Sequence, residues 1–122
     1  MSEQPEQLRA LIRRDLIAAL KAKEAIATAA IRSLLAAIDN AEVPPAEHLA
    51  QTTAGEHIAG SAVGLGAAEV ERHQLTDAEL HAVIKAEIQE RADAATEYEQ
   101  LGRDDHAGRL RSEAEVLHQY LS

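Results

Sequence analysis

What most limits this chain is its supply of large apolar side chains. It has no Phe and no Trp, its only aromatic residues are Tyr98 and Tyr120, and its 26 alanines nearly equal its 27 Leu, Ile and Val residues. A core made from that inventory must be thin, and it must form where alanine lets helix backbones approach closely. Alanine is the strongest helix former, whereas strands favour the aromatic residues this chain lacks. An all-α fold is expected, and 122 residues fit a single domain.

The same composition removes whole classes of chemistry. Without cysteine there is no disulfide framework, no thiol nucleophile and no zinc–thiolate site. Residues 1–6 are acidic and lack the apolar stretch of a secretory signal. The most apolar run, residues 25–38, is too short for a bilayer and carries Arg32. The expectation is a soluble, cytoplasmic protein with no membrane role. Net charge is −9, distributed as +1 over residues 1–40 and −10 over the remaining 82. That acidity is unlike the footprint of a broad nucleic-acid binder, so any RNA contact would be local and N-terminal.

Pro5 suits the first turn of a helix, and Glu3 and Glu6 suit its positive end. Leu8, Leu11, Ile12, Leu16, Ala19 and Leu20 then recur at helical spacing, with Arg9, Arg13, Arg14 and Lys21 mostly outside that stripe. A second helix follows over residues 23–41, its stripe being Ile31, Leu34, Leu35 and Ile38. Neither Gly nor Pro marks a break near Ala22, but one 36-residue helix would need a partner of matching length, which favours a hairpin. Pro44-Pro45 stops the second helix. Residues 43–75 hold Gly55, Gly60, Gly64 and Gly66, predicting a long Gly/Ala-rich loop with a turn or two of helix over 67–73.

Thr76 followed by Glu79 is a capping-box pattern that opens a helix over residues 77–101, with Leu80, Val83, Ile84, Ile88, Ala95, Tyr98 and Leu101 on its apolar stripe. Gly102 suits the C-cap of that helix, and Asp104 the N-cap of the next, over residues 104–121. There Ala107, Leu110, Ala114, Leu117 and Leu121 form a narrow, coiled-coil-like seam. The short connection makes the last two helices an antiparallel hairpin.

Little of this carries catalytic chemistry. Glu115 and His118 have the Glu-x-x-His spacing of di-iron bundles, but such a site needs two copies and further inward glutamates, so no metal is expected. Gly64-Leu65-Gly66 lacks the preceding strand, the third glycine and the lysine of a phosphate loop. Ser61 has His57 nearby but no orienting acid or oxyanion hole at recognisable spacing. No catalytic residue and no cofactor is therefore assigned. Arg91 falls inside the apolar stripe of its helix, where a cation must snorkel or pair with a carboxylate from a neighbouring helix. It is either a structural ion pair or a docking point for a partner, and Arg103 with the aspartates at the hairpin turn is a further place for pairing.

Three blocks resemble the YqeY-like family, which is related to the tail of the GatB subunit of the tRNA-dependent amidotransferase. The family pattern L-R-x-L-x-A-A-I-x-N-A-E is similar to Ile31-Arg32-Ser33-Leu34-Leu35-Ala36-Ala37-Ile38-Asp39-Asn40-Ala41-Glu42. The pattern I-x-K-E-I-x-Q-R resembles the stretch with Ile84, Glu87, Ile88 and Arg91 in step, while Lys85, Gln89 and Glu90 depart from it. The pattern Y-x-x-x-G-R-x-D, before an acidic helix ending in Y-L, resembles Tyr98, Gly102, Arg103, Asp105, Glu113, Glu115, Tyr120 and Leu121. The resemblance implies a helical subdomain like the family's first, with the second, C-terminal subdomain absent after Ser122 and a longer loop over 43–74. It also implies a link to carbon–nitrogen ligase activity with glutamine as amido donor, where the tail helps present the misacylated tRNA and catalysis lies elsewhere.

The sequence therefore predicts two helical hairpins in one domain, 1–122, acting as an accessory or binding module without catalysis of its own. Arg9, Arg13, Arg14, Lys21, Lys23 and Arg32 form the candidate RNA face, with tRNA or an amidotransferase component as partner. Arg91, Arg103 and Asp105 are structural or partner-docking candidates. The alternative is a protein-interaction module, such as a homodimer, joined through the Ala107–Leu121 seam.

Overall fold

The computed structural model describes residues 5–43 and 74–121. Among these it has four α-helices and no strand: α1 (Pro5–Ala22), α2 (Ala25–Ala41), α3 (Asp77–Gln100) and α4 (Asp104–His118), then a 3₁₀ turn at Gln119–Leu121. The fold is all-α. The chain divides into two compact units, residues 1–38 with 75–122, and Asp39–Gln74. Of the second unit, the described residues are 39–43 and 74. There the end of α2 closes in a turn, with Glu42 N–H donating to Asp39 O and Val43 N–H to Asn40 O. The Pro44-Pro45 stop, the glycine-rich loop and the helical turn expected over 67–73 lie outside the described residues.

Within the first unit, the break that no residue type marked lies at Lys23. Its φ is 59°, in the left-handed region. Lys23 N–H donates to Leu20 O and Glu24 N–H to Ala19 O, the paired bonds of a Schellman motif. The carbonyl of Glu24 then accepts from Thr28 N–H and starts α2. The turn between α3 and α4 repeats this arrangement with the expected residue: Gly102 has φ 78°, Gly102 N–H donates to Glu99 O, and Arg103 N–H to Tyr98 O. The helix stop expected at Gly102 is present, while the N-cap of α4 is Arg103 instead of Asp104, which falls in the first helical turn. At the start of α3 the capping box is complete, with Glu79 N–H on Thr76 Oγ1 at 3.1 Å and Thr76 N–H on Glu79 Oε1 at 2.9 Å.

All four helices contribute to one core. Ile12 comes from α1; Ala30, Ile31, Leu34 and Ile38 come from α2; Leu75, Leu80 and Ile84 precede or belong to α3; Leu117 and Tyr120 close it from the C-terminal end. Burying each Leu or Ile contributes about 1.5–3 kcal/mol relative to leaving it in water. Two expected members stand outside. Leu20 is 45% exposed and Leu101 72% exposed. The inward positions of α1 are 9, 12, 16 and 19, about one turn apart and with Leu16 only partly buried, so Leu20 has rotated past them. Leu101 is the C-cap of α3, where the chain leaves the helix. On α4, which ends at His118 and not at the expected 121, Ala107 and Leu117 are buried and Leu110 and Ala114 partly so, with Leu121 partly buried in the 3₁₀ turn, placing the seam inside this chain's own fold.

Candidate functional site

The proposed cationic face divides in two. Arg13, Arg14, Lys21, Lys23 and Arg32 are exposed, but Arg9 is only 8% exposed because it falls on the inward 9–12–16–19 line of α1. That removes its guanidinium from the outer face. Arg13, Arg14 and Lys21 are spaced three and four residues from Ile17, which puts all four on one side of the helix. Lys23 sits in the turn after α1, and Arg32 lies on α2. Among the described residues, none of these five cations forms an ion pair.

One acid, Asp15, interrupts residues 7–23. Its Oδ2 accepts a 2.6 Å hydrogen bond from the Tyr120 hydroxyl, across 105 residues of sequence. The bond holds that carboxylate toward Tyr120, on the side of α1 away from Arg13, Arg14 and Lys21. Burial, reinforced by the hydrogen bond and the negative charge of Asp15, holds the Tyr120 phenol above its ordinary pKa.

Arg91 is 8% exposed and lies within a polar network. Its Nε donates to Glu113 Oε1 at 3.0 Å, and its Nη1 donates to Glu87 Oε1 at 2.9 Å and to the Glu87 carbonyl at 3.1 Å. Glu87 Oε1 also accepts from Ser33 Oγ at 3.2 Å. One guanidinium thus links α3 to α4 directly and to α2 through Glu87. The docking role would need a reachable guanidinium, whereas this one is enclosed by its own chain's acids.

At the hairpin turn Arg103 and Asp105 are exposed, and nothing brings their charges together among the described bonds. They border a shallow hollow of about 380 Å³ formed with Gly102, Asp104 and His106. Two contacts that the spacing did not signal brace the same end. Tyr98 stacks on His106 with ring centroids 4.3 Å apart, and Arg111 grips Glu99 through two hydrogen bonds of 3.2 and 2.9 Å.

Glu115 and His118 both project outward from α4, and among the described residues no three His, Asp or Glu side chains gather as metal ligands. Gly64-Leu65-Gly66, His57 and Ser61 lie outside the described residues. No described helix is long and apolar enough to cross a membrane.

The geometry offers a cationic helix face and a locked helical hairpin. Comparison with known proteins agrees with the second and third sequence blocks, while the first, residues 31–42, lies outside the matched residues. No curated protein matches the chain. The profile of the family described as Yqey-like protein matches residues 60–122, just over half of the chain and all of α3 and α4. This chain belongs to the YqeY-like family.

Proposed function

We propose that the chain is an accessory binding module for tRNA-dependent amide transfer, contacting tRNA through Arg13, Arg14, Lys21, Lys23 and Arg32, with the ligase chemistry residing in its partner. The observation that supports this is the outer face of α1. Within residues 7–23 the one acid is tied to Tyr120, and the cations are exposed without ion pairs among the described residues. Phosphate contacts of this kind give affinity and orientation without base selectivity. Membership of the YqeY-like family supports the link to transamidation.

The test is fluorescence anisotropy of labelled total tRNA with the full chain, at low and moderate salt. Saturable binding that weakens steeply with salt is expected. Arg13→Glu with Arg14→Glu removes two phosphate contacts and flattens the slope of log K against log salt by about 1.4–1.8. Binding that ignores both salt and these substitutions overturns the proposal, as does an absence of binding at low salt.

A second reading is a protein partner laid along the same face, because Ile17 is 55% exposed between those cations. It replaces association through the α4 seam, whose Ala107 and Leu117 are already buried in this chain. A partner recovered by pull-down and lost on Ile17→Glu, in a chain that fails to bind tRNA, would favour it.

A further inference from the structure

A different surface carries the opposite character. Where the α1–α2 turn meets α4, a groove of about 390 Å³ opens and runs into a second hollow of about 450 Å³, the two sharing Glu24, Ala27 and Val116. Its floor is apolar and low, with Ala19, Ala27, Ile31 and Val116. Carboxylates stand along it: Asp15 from α1, Glu24 from the turn and Glu115 from α4, with no cation among the lining residues. Ile26 adds an apolar side chain at the mouth, 38% exposed. The Tyr120 hydroxyl takes only one oxygen of Asp15.

We propose that this groove docks a cationic amphipathic helix of another protein, its apolar residues on the alanine floor and its flanking Lys or Arg residues against Asp15, Glu24 and Glu115. Charge complementarity selects that occupant. A polyanion or an acidic helix would meet three like charges, whereas a cationic helix meets three opposite ones and is also drawn in by the chain's net charge of −9. The small floor side chains let a helix backbone approach closely, and the apolar contact supplies what rim charges alone do not. The 44–73 stretch of this chain is an unsuitable occupant on charge, with four Glu against one Arg. None of the five cations proposed to contact tRNA lines this groove, so its test does not depend on tRNA binding.

The probe is a fluorescein-labelled 18-residue helical peptide with a Leu stripe flanked by Lys, beside a matched peptide carrying Glu at those positions, each titrated into the full chain. Saturable binding of the Lys peptide alone is expected. Glu24→Lys with Glu115→Lys should weaken it at least tenfold, and Ile26→Glu should weaken it severalfold, with circular dichroism unchanged. Glu90→Lys with Glu97→Lys makes the same change in net charge on α3 and should leave most of the affinity. Equal loss in that control means attraction to net charge only and overturns the proposal. So does equal binding of both peptides, or a groove variant that binds like the parent. A concentration-dependent dimer in sedimentation that Glu115→Lys dissociates would assign the groove to a second copy and equally overturn it.

Discussion

The two hairpins turn their chains with the same hydrogen-bond pattern but differ in the residue at its tightest point. At Gly102 the left-handed conformation is free of a side-chain clash; at Lys23 a full side chain occupies φ 59°. For an L-residue with a Cβ, that region costs roughly 1–2 kcal/mol. The hairpins also hold their helices differently. The α3–α4 pair is fastened by charge, through Arg91 with Glu113 and Arg111 with Glu99. The α1–α2 pair relies on apolar packing through Ile12, Ile31 and Leu34 and keeps its exposed cations outward. One hairpin pairs charges between its helices, and the other presents unpaired cations to solvent among the described residues. Under the proposed function, that difference separates a structural from a recognition role.

The largest effect that would break this contrast is at Arg91. Arg91→Met leaves Glu87 and Glu113 facing each other in a half-closed site and should cost about 3–5 kcal/mol, read by urea denaturation. Adding Glu87→Gln and Glu113→Gln removes the stranded charges and should recover part of that loss. If Arg91→Met alone is nearly neutral, the network does not hold the C-terminal hairpin.

Tyr120→Phe removes the hydrogen bond to Asp15 that joins α1 to the C-terminal end, and should cost about 1.5 kcal/mol at neutral pH. The sign of its pH dependence follows from the raised phenol pKa. The folded state holds the proton more tightly than the unfolded chain, so the contribution is complete below the unfolded value of about 10 and declines as pH climbs above it. The stability gap between parent and variant should therefore narrow above pH 10. A gap that stays constant there would mean that Asp15 does not restrain the phenol.

The smallest effects form a matched pair at the two turns. Gly102→Ala meets open space around the new Cβ, so its cost of about 1 kcal/mol comes from φ alone. Lys23→Gly should act in the opposite direction, stabilising by about 0.5–1 kcal/mol once the greater freedom of glycine in the unfolded chain is subtracted. Thermal melts should show shifts of a few degrees of opposite sign, roughly 2–4 °C each. Two shifts of the same sign would mean that the turns are not equivalent.

The parts of the fold legible in the sequence are those whose signals are local. Thr76 with Glu79 announces its cap within four residues, and Gly102 announces its turn by lacking a Cβ. Arg91 was legible as a conflict, a cation inside an apolar stripe, and its acids were found where such a conflict requires them. The Lys23 turn was not legible, because packing of α1 and α2 into one core imposes a conformation that lysine does not prefer. Arg9 and Leu20 exchanged expected places for a related reason: hydropathy assigned Leu inward and Arg outward, whereas the helix phase fixed by Ile12 and Ala19 decides which position turns in. The acid-rimmed groove had no signature at all, since its lining comes from α1, α2 and α4 and becomes adjacent only on folding.

The bond between Tyr120 and Asp15 also bears on the order in which this protein can mature during synthesis. A residue of α1 pairs with a residue made more than a hundred positions later. Until position 120 has left the ribosome, the site that Tyr120 fills stays open, and the apolar stripe of the early helices faces solvent or a chaperone. Closing so long a loop is entropically costly and slow compared with forming either hairpin. In that interval the apolar stripe of α1 and α2 lacks its C-terminal cover, and charge on their outer face opposes association.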